Sequence, residues 1–486
     1  MTRYHHLIGG ERIAGEDGPD NINPSDLDDV VGVAPDTSRE LARHAIETAA
    51  ATSASWGNSS IERRAHVLNR AATEVHARRD ELGELLAREE GKPLREAVAE
   101  ATRAANLLSF FSGEALRVGG EIVPSVREGM TVEVTREPLG VVGVITPWNF
   151  PIAIPTWKIA PAIAWGNTVV FKPAENTPGC AAELVDILHR AGLPDGVVNL
   201  VYGKGSEVGD AILSSPLVDG VSFTGSAGVG DTVVSRSAQA HIRVQAEMGG
   251  KNPLVVVGDA DVPLAVNIAL SGAYHSTGQR CTASSRIIVT DDIHDRFAES
   301  FLEGMQRMRV GHALDETTEV GPVVDQRQLD QDLNYLDIAR REGGQVVGGH
   351  VVERDTRGHF LTPAAVLGAT PDMTVSREEV FGPVASIIRV ADYDEALTVA
   401  NETEFGLSSG ICTSSLAIAR DYMRRARAGM VMVNAPTAGV DYHVPFGGTK
   451  RSSYGPREQG AYARDFYSTV KTAYVNPGGI PSSGRF

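Results

Sequence analysis

The chain has 486 residues, more than one simple hydrophobic core usually organises, so two or three domains are expected. Apolar residues make up 42% and charged residues 22%, which is ordinary for a soluble globular protein and argues against a disordered chain. The net charge of −17, with no basic run, argues against a nucleic-acid partner, because such partners need clustered positive charge.

The first 118 residues are predicted to be mostly helical. The start, "MTRYHHLIGGERIAG", has early charges and lacks the apolar stretch of a signal peptide, so we expect a cytoplasmic protein. Apolar residues then recur at helical spacing from Arg39 to about Trp56 and from Ser60 to about Arg117. This spacing predicts helices that each present one apolar face to a core.

An exposed ribbon and an uncharged stretch follow the helices. Alternation between Met130 and Val134 predicts an exposed strand within residues 119–138. Between Glu137 and Lys158 lie 20 uncharged residues, enough to span a membrane, but four prolines there would break a spanning helix. We therefore expect a buried strand, a turn and the start of a helix, and no membrane segment.

Short β-branched runs alternate with helical patterns through the rest of the chain. The first set is "LGVVGVIT", "NTVVFKP", "GVVNLVYG" and "VDGVSFTGS", and the second is "NPLVVVG", "SSRIIVT", "VASIIRV" and "GMVMVNAP". Such alternation predicts parallel strands joined by helical crossovers. Two α/β domains of similar size are therefore expected, joined near residues 249–252.

The cysteines are Cys180, Cys281 and Cys412, too few for a disulfide framework, and no CxxC or HExxH pattern predicts a metal site. Cys281 stands out because "STGQRCTASS" surrounds it with small and polar residues, whereas a structural cysteine usually has apolar neighbours. The preceding Arg280 carries a charge that would lower the pKa of the Cys281 thiol. On these grounds alone, a nucleophile and a structural residue both remain open.

Three further neighbourhoods could supply partners for a reactive thiol. "VSFTGSAGVG" ends a predicted strand at Gly225 and Ser226, where a starting helix could offer amides to a phosphate or simply form a turn. Glu247 in "QAEMGGKNP" is either a base at the domain junction or a solvated loop charge. Asn149 in "TPWNFP" is either an amide aimed into a cleft or a turn residue bonded to its own backbone.

Eight segments, taken in order, resemble the NAD(P)-dependent aldehyde dehydrogenase superfamily over nearly the whole chain. They are "TPWNFP", "VVFKPAENTP", "SFTGS", "EMGGKNP", "STGQRC", "EEVFGPV", "NETEFGLSSG" and "PFGG", and the spacing of 34 residues between Glu247 and Cys281 also agrees with the family. The resemblance implies an α/β fold with two Rossmann-like domains and a small β oligomerisation ribbon, assembled as a homodimer or homotetramer. The coenzyme-binding domain is expected at 1–118 and 139–249, the catalytic domain at 250–450, oligomerisation segments at 119–138 and 451–478, and a loose tail at 479–486.

The resemblance also implies a mechanism carried by five side chains. The Cys281 thiolate attacks the aldehyde carbon, and the side-chain amide of Asn149 and the N–H of Cys281 stabilise the oxyanion. Hydride passes to the nicotinamide, which leaves a thioester, and Glu247 then activates the water that releases the carboxylic acid. The family relays that proton through residues that match Lys158 and Glu458 here.

NAD is implied as the preferred coenzyme, with NADP as an alternative acceptor. Glu175 matches the position that faces the adenosine ribose, beside Lys172, and its charge would repel a 2′-phosphate. A lysine that some members carry three residues after Gln328 is Gln331 here. The matched coenzyme positions are Thr146, Trp148, Lys172, Glu175, Gly205, Gly209, Gly225, Ser226, Val229, Met248, Gln328, Glu379 and Phe381.

Local strings such as "ITPWNFPIAIPTWK" and "SSYGPREQG" resemble the branch that oxidises α-ketoglutaric semialdehyde (2,5-dioxopentanoate) to 2-oxoglutarate in sugar-acid catabolism. Arg280 either binds the carboxylate of that substrate or forms an ion pair with a neighbouring acid. The succinic semialdehyde branch of the family has arginines at the positions of Trp157 and His275. Neither arginine is present here, which disfavours succinic semialdehyde as the substrate. A general or aromatic aldehyde dehydrogenase, a non-catalytic homologue and a thiol esterase remain alternatives. The residues implied around the aldehyde are Phe150, Trp157, Arg280 and Phe446.

Overall fold

The computed structural model describes residues 1–478, so the tail predicted to be loose at 479–486 lies outside the described residues. Within residues 1–478 the strands are, in chain order, β1 (Thr2–Arg3), β2 (His6–Ile8), β3 (Glu11–Ile13), β4 (Asp17–Asn23), β5 (Asp26–Pro35), β6 (Glu121–Pro124), β7 (Thr131–Pro138), β8 (Val141–Ile145), β9 (Thr168–Lys172), β10 (Val198–Leu200), β11 (Gly220–Thr224), β12 (Arg243–Glu247), β13 (Asn252–Val256), β14 (Ser284–Thr290), β15 (Gln345–Gly348), β16 (Ala364–Ala369), β17 (Val384–Val390), β18 (Phe405–Gly406), β19 (Ser408–Cys412), β20 (Met430–Val433), β21 (Thr449–Lys450), β22 (Ser453–Tyr454) and β23 (Ser468–Val475).

The helices of the same residues are α1 (Arg39–Gly57), α2 (Ile61–Ala77), α3 (Arg79–Glu90), α4 (Leu94–Ala115), α5 (Ala153–Ala164), α6 (Pro178–Arg190), α7 (Asp210–Ser214), α8 (Ala227–Gln239), α9 (Val262–Tyr274), α10 (His294–Arg307), α11 (Gln326–Arg341), α12 (Thr374–Arg377), α13 (Tyr393–Asn401), α14 (Leu416–Arg425) and α15 (Arg464–Tyr467). Short turns of other helical geometry are the π-turn Gly205–Gly209 and the 3₁₀ turns His275–Gly278 and Ala461–Ala463.

The helical stretch predicted after Ser60 is three helices, α2, α3 and α4. Gly91 ends α3 in the left-handed conformation, with φ at 87°. Glycine adopts this conformation without the strain that a Cβ would cause, which makes it a common helix end. Pro93 follows and separates α3 from α4, because proline lacks the N–H that a continuing helix needs.

The first large sheet has eight strands, and five of them are parallel, in the order β12-β11-β8-β9-β10. The chain runs from β8 outward to β9 and β10, and then returns to β11 and β12 on the other side of β8. This reversal is a topological switch point, where α/β sheets open a crevice for a ligand. The four runs predicted as strands are confirmed as β8 to β11. The charged run of β12 was not predicted.

Helices cover both faces of this sheet, and the strand residues alternate between them. Val142 and Val144 face the core shared with α2, α4, α5 and α6, whereas Val141 faces the core shared with α1, α7 and α8. The uncharged stretch after Glu137 forms β8, a turn and the fully buried α5, as predicted. Over residues 1–478, no helix is long and apolar enough to cross a membrane.

The second large sheet has seven strands in the order β15-β16-β17-β14-β13-β19-β20. Neighbours from β16 to β20 pair in parallel, and β15 pairs antiparallel at one edge. β13, β14, β17 and β20 confirm the second predicted set of strands. β19 was not predicted, because its buried sequence "SSGIC" lacks a β-branched run.

The segment predicted as an exposed ribbon forms a three-stranded sheet in the order β23-β7-β6. β23 pairs with β7 of the same chain along its whole length, from Ser468 opposite Pro138 to Val475 opposite Thr131. The two segments expected to take part in oligomerisation, 119–138 and 451–478, therefore contribute strands to one sheet within the chain. The sheet still exposes apolar side chains such as Ile122, which is 79% exposed.

Candidate active site

A cleft opens at the carboxyl ends of the parallel strands of the first sheet. β8 ends at Ile145, β11 at Thr224 and β12 at Glu247. Because parallel strands share a direction, the residues that follow them meet at one edge of the sheet. The cleft has a volume of about 410 Å³. The predicted site residues that line it are Trp148, Asn149, Gly225, Ser226, Met248, Cys281, Gln328, Glu379 and Phe381.

Cys281 lies on a tight loop between α9 and β14. The loop begins with a 3₁₀ turn in which Ser276 and Thr277 have positive φ of 51° and 56°. Non-glycine residues are strained in this conformation, so surrounding contacts have to hold the loop. Asn252 provides two of them, because its Nδ2 donates to the carbonyl oxygens of Cys281 at 2.8 Å and Ala283 at 2.9 Å. Sequence analysis quoted Asn252 within "EMGGKNP" but did not identify this role.

The surroundings of Cys281 do not favour a thiolate. Burial raises the pKa of the thiol above its ordinary value, and the carboxylates of Glu379 and Glu247 raise it further. Arg280 is not among the larger causes of this shift, although a Cys281 thiolate and the Arg280 guanidinium attract each other. The thiol therefore needs a base to remove its proton.

Arg280 is held at the end of α9 and does not line the cleft. Its Nη2 donates to the carbonyl oxygens of Ser271 at 2.5 Å and Gly272 at 3.0 Å. Basic side chains commonly bind the last carbonyls of a helix in this way. These contacts hold the guanidinium outside the cleft, contrary to the prediction that Arg280 binds the substrate, and the alternative, an ion pair with a neighbouring acid, is not found within residues 1–478.

Asn149 follows β8 and is buried. Its Nδ2 donates to the Gln279 carbonyl at 2.9 Å, which places the amide next to the loop that carries Cys281. The backbone carbonyl of Asn149 accepts a hydrogen bond from Lys92 Nζ at 2.6 Å, and Lys92 also donates to the carboxylate of Glu100 at 2.6 Å. Sequence analysis missed this buried pair, because charged residues in a helical stretch usually lie on its solvated face.

Glu247 ends β12, and its side chain is only 2% exposed. Burial raises the pKa of its carboxyl well above the ordinary value, and the charge of Glu458 raises it further. A hydrogen bond from Ser453 Oγ at 2.5 Å opposes this shift. A raised pKa makes the carboxylate a stronger base than that of an exposed glutamate, which suits a general base.

A buried polar network lies behind Glu247. Lys158 on α5 forms an ion pair with Glu458, and both side chains are buried. Lys158 Nζ also donates to Ser222 at 3.0 Å, and Trp157 Nε1 donates to the second carboxylate oxygen of Glu458 at 2.6 Å. The structure thus brings together the two residues named for the proton relay. Ser222 is a member that sequence analysis missed.

Aromatic side chains surround one side of the thiol. Cys281 packs against the apolar cluster that contains Phe446, and the rings of Phe446 and Trp157 lie 5.5 Å apart. Phe150 instead lies under Lys92, whose Nζ is 3.8 Å from the ring centroid. Of the four residues implied around the aldehyde, Trp157 and Phe446 are the ones that contact each other near Cys281.

The other side of the cleft carries residues predicted for the coenzyme. The rings of Trp148 and Phe381 meet edge to face, with centroids 5.5 Å apart. Glu379 accepts a hydrogen bond from the Gly250 N–H at 2.9 Å, and burial raises the pKa of its carboxyl to about 7. A carboxylate and a ring at this edge can hold a ribose and a flat heterocycle.

Gln328 and Gln331 hold the loop that carries Glu379. Each donates from Nε2 to the Val380 carbonyl, at 3.0 Å and 2.9 Å. Gln328 also donates to Asp332 at 2.8 Å. These contacts position the loop, whereas sequence analysis expected Gln328 to assist in coenzyme binding directly.

Several predicted coenzyme residues lie outside the main cleft. Glu175 lines a smaller depression together with Lys204, and Lys172 Nζ donates to the Pro173 carbonyl at 2.9 Å. Gly205 and Gly209 bound the π-turn before α7. Val229 is exposed on the first turn of α8.

Two features of the cleft fit a dinucleotide. α8 begins at Ala227, and Ser226 makes no side-chain cap, so the first amide N–H groups of the helix can bind a phosphate. The buried hydroxyls of Thr146 and Thr224 have no hydrogen-bond partner among the described residues. Such hydroxyls indicate a place where a ligand or water completes the hydrogen bonds. Residues 1–478 contain no group of His, Cys, Asp or Glu suited to a metal ion.

Comparison with known proteins agrees with this site. The family model of the aldehyde dehydrogenase family matches residues 14–473. The chain is 39% identical to alpha-ketoglutaric semialdehyde dehydrogenase of Bacillus subtilis, over 98% of this chain and 99% of the relative. It is 42% identical to alpha-ketoglutarate semialdehyde dehydrogenase of Haloferax volcanii, over 96% and 98% of the two chains.

Solved structures give the same result. The crystal structure of a NAD-dependent aldehyde dehydrogenase from Sinorhizobium meliloti superposes with a TM-score of 0.95 at 34% identity, over 99% of this chain and 97% of that one. An NADP-dependent enzyme from E. coli superposes with a TM-score of 0.94 at 34% identity, over 98% of each chain. The chain belongs to the aldehyde dehydrogenase family, and it is an enzyme that oxidises an aldehyde with a nicotinamide coenzyme.

Proposed function

We propose that this enzyme oxidises 2,5-dioxopentanoate to 2-oxoglutarate, with NAD as the preferred coenzyme. The observation that carries the proposal is the cleft lined by Cys281 and Asn149, with the buried carboxyl of Glu247 acting on the Cys281 thiol. A thiol, an amide donor and a buried carboxyl are the nucleophile, oxyanion donor and base that aldehyde oxidation requires. Similarity to relatives named for α-ketoglutarate semialdehyde supports the choice of substrate.

The first step forms a bond between Cys281 Sγ and the aldehyde carbon. Glu247 takes the thiol proton, because its carboxylate lies close enough to raise the pKa of that thiol. The aldehyde oxygen becomes an alkoxide, which the Cys281 N–H and the second amide hydrogen of Asn149 Nδ2 stabilise. A donor of this kind contributes about 3–4 kcal/mol to the transition state.

The cleft residues hold the coenzyme in two halves. Ser226 and the first amides of α8 would bind the pyrophosphate, and Lys172 and Glu175 the adenosine ribose. Glu379 and Phe381 would bind the nicotinamide half. When bound, the oxidised nicotinamide accepts the hydride that the Cys281 adduct releases on becoming a thioester.

Glu247 acts a second time to release the product. After the thiol proton has passed on through Glu458 and Lys158, Glu247 accepts a proton from water as the water oxygen attacks the thioester carbon, and the C–S bond then breaks to leave the Cys281 thiolate. The products are a carboxylic acid and the restored Cys281. Lys158 and Glu458 take the proton onward, since the charge of Glu458 already acts on the Glu247 carboxyl.

Absorbance at 340 nm tests the proposed reaction. The purified enzyme is assayed with 2,5-dioxopentanoate, pentanal and benzaldehyde, each with NAD and with NADP. We expect the highest kcat/KM for 2,5-dioxopentanoate with NAD. A higher value for pentanal or benzaldehyde would overturn the substrate, and reduction of neither coenzyme by any aldehyde would overturn the mechanism.

Cysteine variants test the nucleophile. Cys281→Ala should abolish both aldehyde oxidation and the hydrolysis of a nitrophenyl ester, since both reactions need the thiolate. Cys180→Ala and Cys412→Ala are matched controls, because both residues are buried in apolar clusters, and their activity should stay within a few-fold. Aldehyde turnover by Cys281→Ala would remove Cys281 from the nucleophile role.

A further inference from the structure

The substrate proposed above carries a carboxylate, and Arg280 is held too far along α9 to bind it. Other cations near the thiol already have partners. Lys92 and Lys158 each form a buried ion pair with a glutamate, and Arg457 acts on the Glu247 carboxyl. Arg103, half-buried on α4, forms no ion pair within 4 Å in the described part of the chain, and its two hydrogen-bond acceptors are neutral.

The guanidinium of Arg103 lies at the far side of the aromatic pair that adjoins the thiol. It is 5.9 Å from the ring centroid of Trp157, and Trp157 contacts Phe446, whose cluster packs against Cys281. Arg103 donates to the Val440 carbonyl and, from Nη2, to Gln459 Oε1 at 3.0 Å. Both acceptors are neutral, and the charges of Glu100 and Asp441 act on Arg103 without an ion pair within 4 Å in residues 1–478.

Gln459 supplies a second, independent observation. Its side chain is fully buried, and its Nε2 has no hydrogen-bond partner among residues 1–478. The backbone of Gln459 also has a positive φ of 59°, which is a strained conformation for a residue other than glycine. A buried amide donor without a partner indicates a missing acceptor, and here it lies on the side chain that Arg103 binds.

We propose that Arg103 and Gln459 bind the carboxylate of the substrate while its aldehyde carbon reaches Cys281, an inference that rests on the proposed function. A carboxylate offers two oxygens, one for the guanidinium and one for the Gln459 Nε2. Trp157 and Phe446 cover the apolar carbons between the two ends. The ligand class is an aldehyde with a carboxylate at its other end, and an uncharged aldehyde would leave Arg103 unpaired.

A matched pair of substrates tests this site. Arg103→Met keeps the length of the side chain but removes its charge, and we expect kcat/KM for 2,5-dioxopentanoate to fall roughly 10- to 100-fold, mainly through KM. With pentanal, kcat/KM should change less than about threefold. Gln459→Leu should give a smaller loss that is likewise confined to 2,5-dioxopentanoate. Arg95→Met is the control, since Arg95 is an exposed arginine on the same helix, and it should leave both substrates unchanged.

The outcomes separate this site from the function on which it rests. Equal losses for both substrates in Arg103→Met would show a structural role and overturn the site. A wild-type preference for 2,5-dioxopentanoate that survives in Arg103→Met and Gln459→Leu would overturn the site alone. A wild-type enzyme that prefers pentanal would overturn the proposed substrate as well. Should Arg103→Met fail to fold, Arg103→Gln, which also removes the charge, and Gln459→Leu give the same comparison.

Discussion

Replacing Lys92 with methionine tests whether buried charges behind Asn149 hold the oxyanion donor in place. Lys92 is fully buried and donates to Glu100 and to the Asn149 carbonyl, each at 2.6 Å. Glu100 in turn accepts hydrogen bonds from the backbone N–H groups of Ile152 and Ala153, at 3.0 and 3.1 Å. The two side chains therefore bind the turn between β8 and α5 at both of its ends.

Lys92→Met leaves Glu100 and Glu90 buried without a cation. Removing one partner of a buried ion pair costs about 3–5 kcal/mol of the free energy of unfolding. Burial raises the pKa of Glu90 to about 8, even with Lys92 at 3.9 Å. When the pKa of a carboxyl is higher in the folded state than in the unfolded state, the free energy of unfolding falls as the pH rises between these two pKa values. Because the loss of Lys92 raises the pKa of Glu90 further, the deficit should widen as the pH rises above about 8, where Glu90 ionises in the folded wild type.

Denaturant unfolding of the variant and the wild type measures this deficit. Arg307→Met is the control, because it breaks an exposed pair with Glu303, which is worth less than about 0.5 kcal/mol. Misplacement of Asn149 should also lower the hydride-transfer rate of Lys92→Met about 10- to 100-fold. Wild-type stability and turnover would refute the reasoning. The double variant Lys92→Met with Glu100→Gln would also refute it if its loss in free energy of unfolding equalled the sum of the losses of the two single variants.

Three other predictions follow from the site and the ribbon. Glu247→Gln should give a burst of NADH in rapid mixing and then little turnover, because deacylation lacks its base; absence of a burst would count against that role. Wild type should prefer NAD over NADP about tenfold or more in kcat/KM, and Glu175→Ser should narrow that ratio, mainly by improving NADP, since Lys204 lines the same depression. Light scattering should give the mass of a dimer or tetramer. Ile122→Glu in the exposed ribbon should lower that mass, and a monomeric wild type would contradict the prediction.

Local pattern predicted the strands that position the site. β8 and β11 are β-branched runs bounded by glycine or proline, and such runs are stable mainly as buried parallel strands. β12 escaped prediction because its sequence, "RVQAE", begins with a charge and ends with one. Only the surrounding sheet makes those five residues a strand, since pairing with β11 and β22 is a long-range contact.

The direction of charged side chains could not be predicted in the same way. Arg280 precedes Cys281 in sequence, yet its guanidinium lies at the end of α9, because neighbours along a loop can point to opposite sides. Lys92 and Glu100 look like residues of a solvated helix face. Their burial depends on the packing of α4 against α5, which no local spacing reveals.

Residues 249–250 determine how closely the two halves of the site approach. Glu247 ends a strand of the first sheet, whereas Cys281 precedes a strand of the second. A Cβ on Gly249 would lie 2.1 Å from Glu379 Oε2, and one on Gly250 would lie 2.7 Å from the Cys281 carbonyl oxygen. Both distances are shorter than an ordinary nonbonded contact. The Cys281 carbonyl is backbone, so glycine is required at position 250, whereas a Cβ at position 249 would displace the Glu379 carboxylate. The glycine pair in "EMGGKNP" therefore lets the strand end that carries Glu247 lie close to the nucleophile loop and to Glu379.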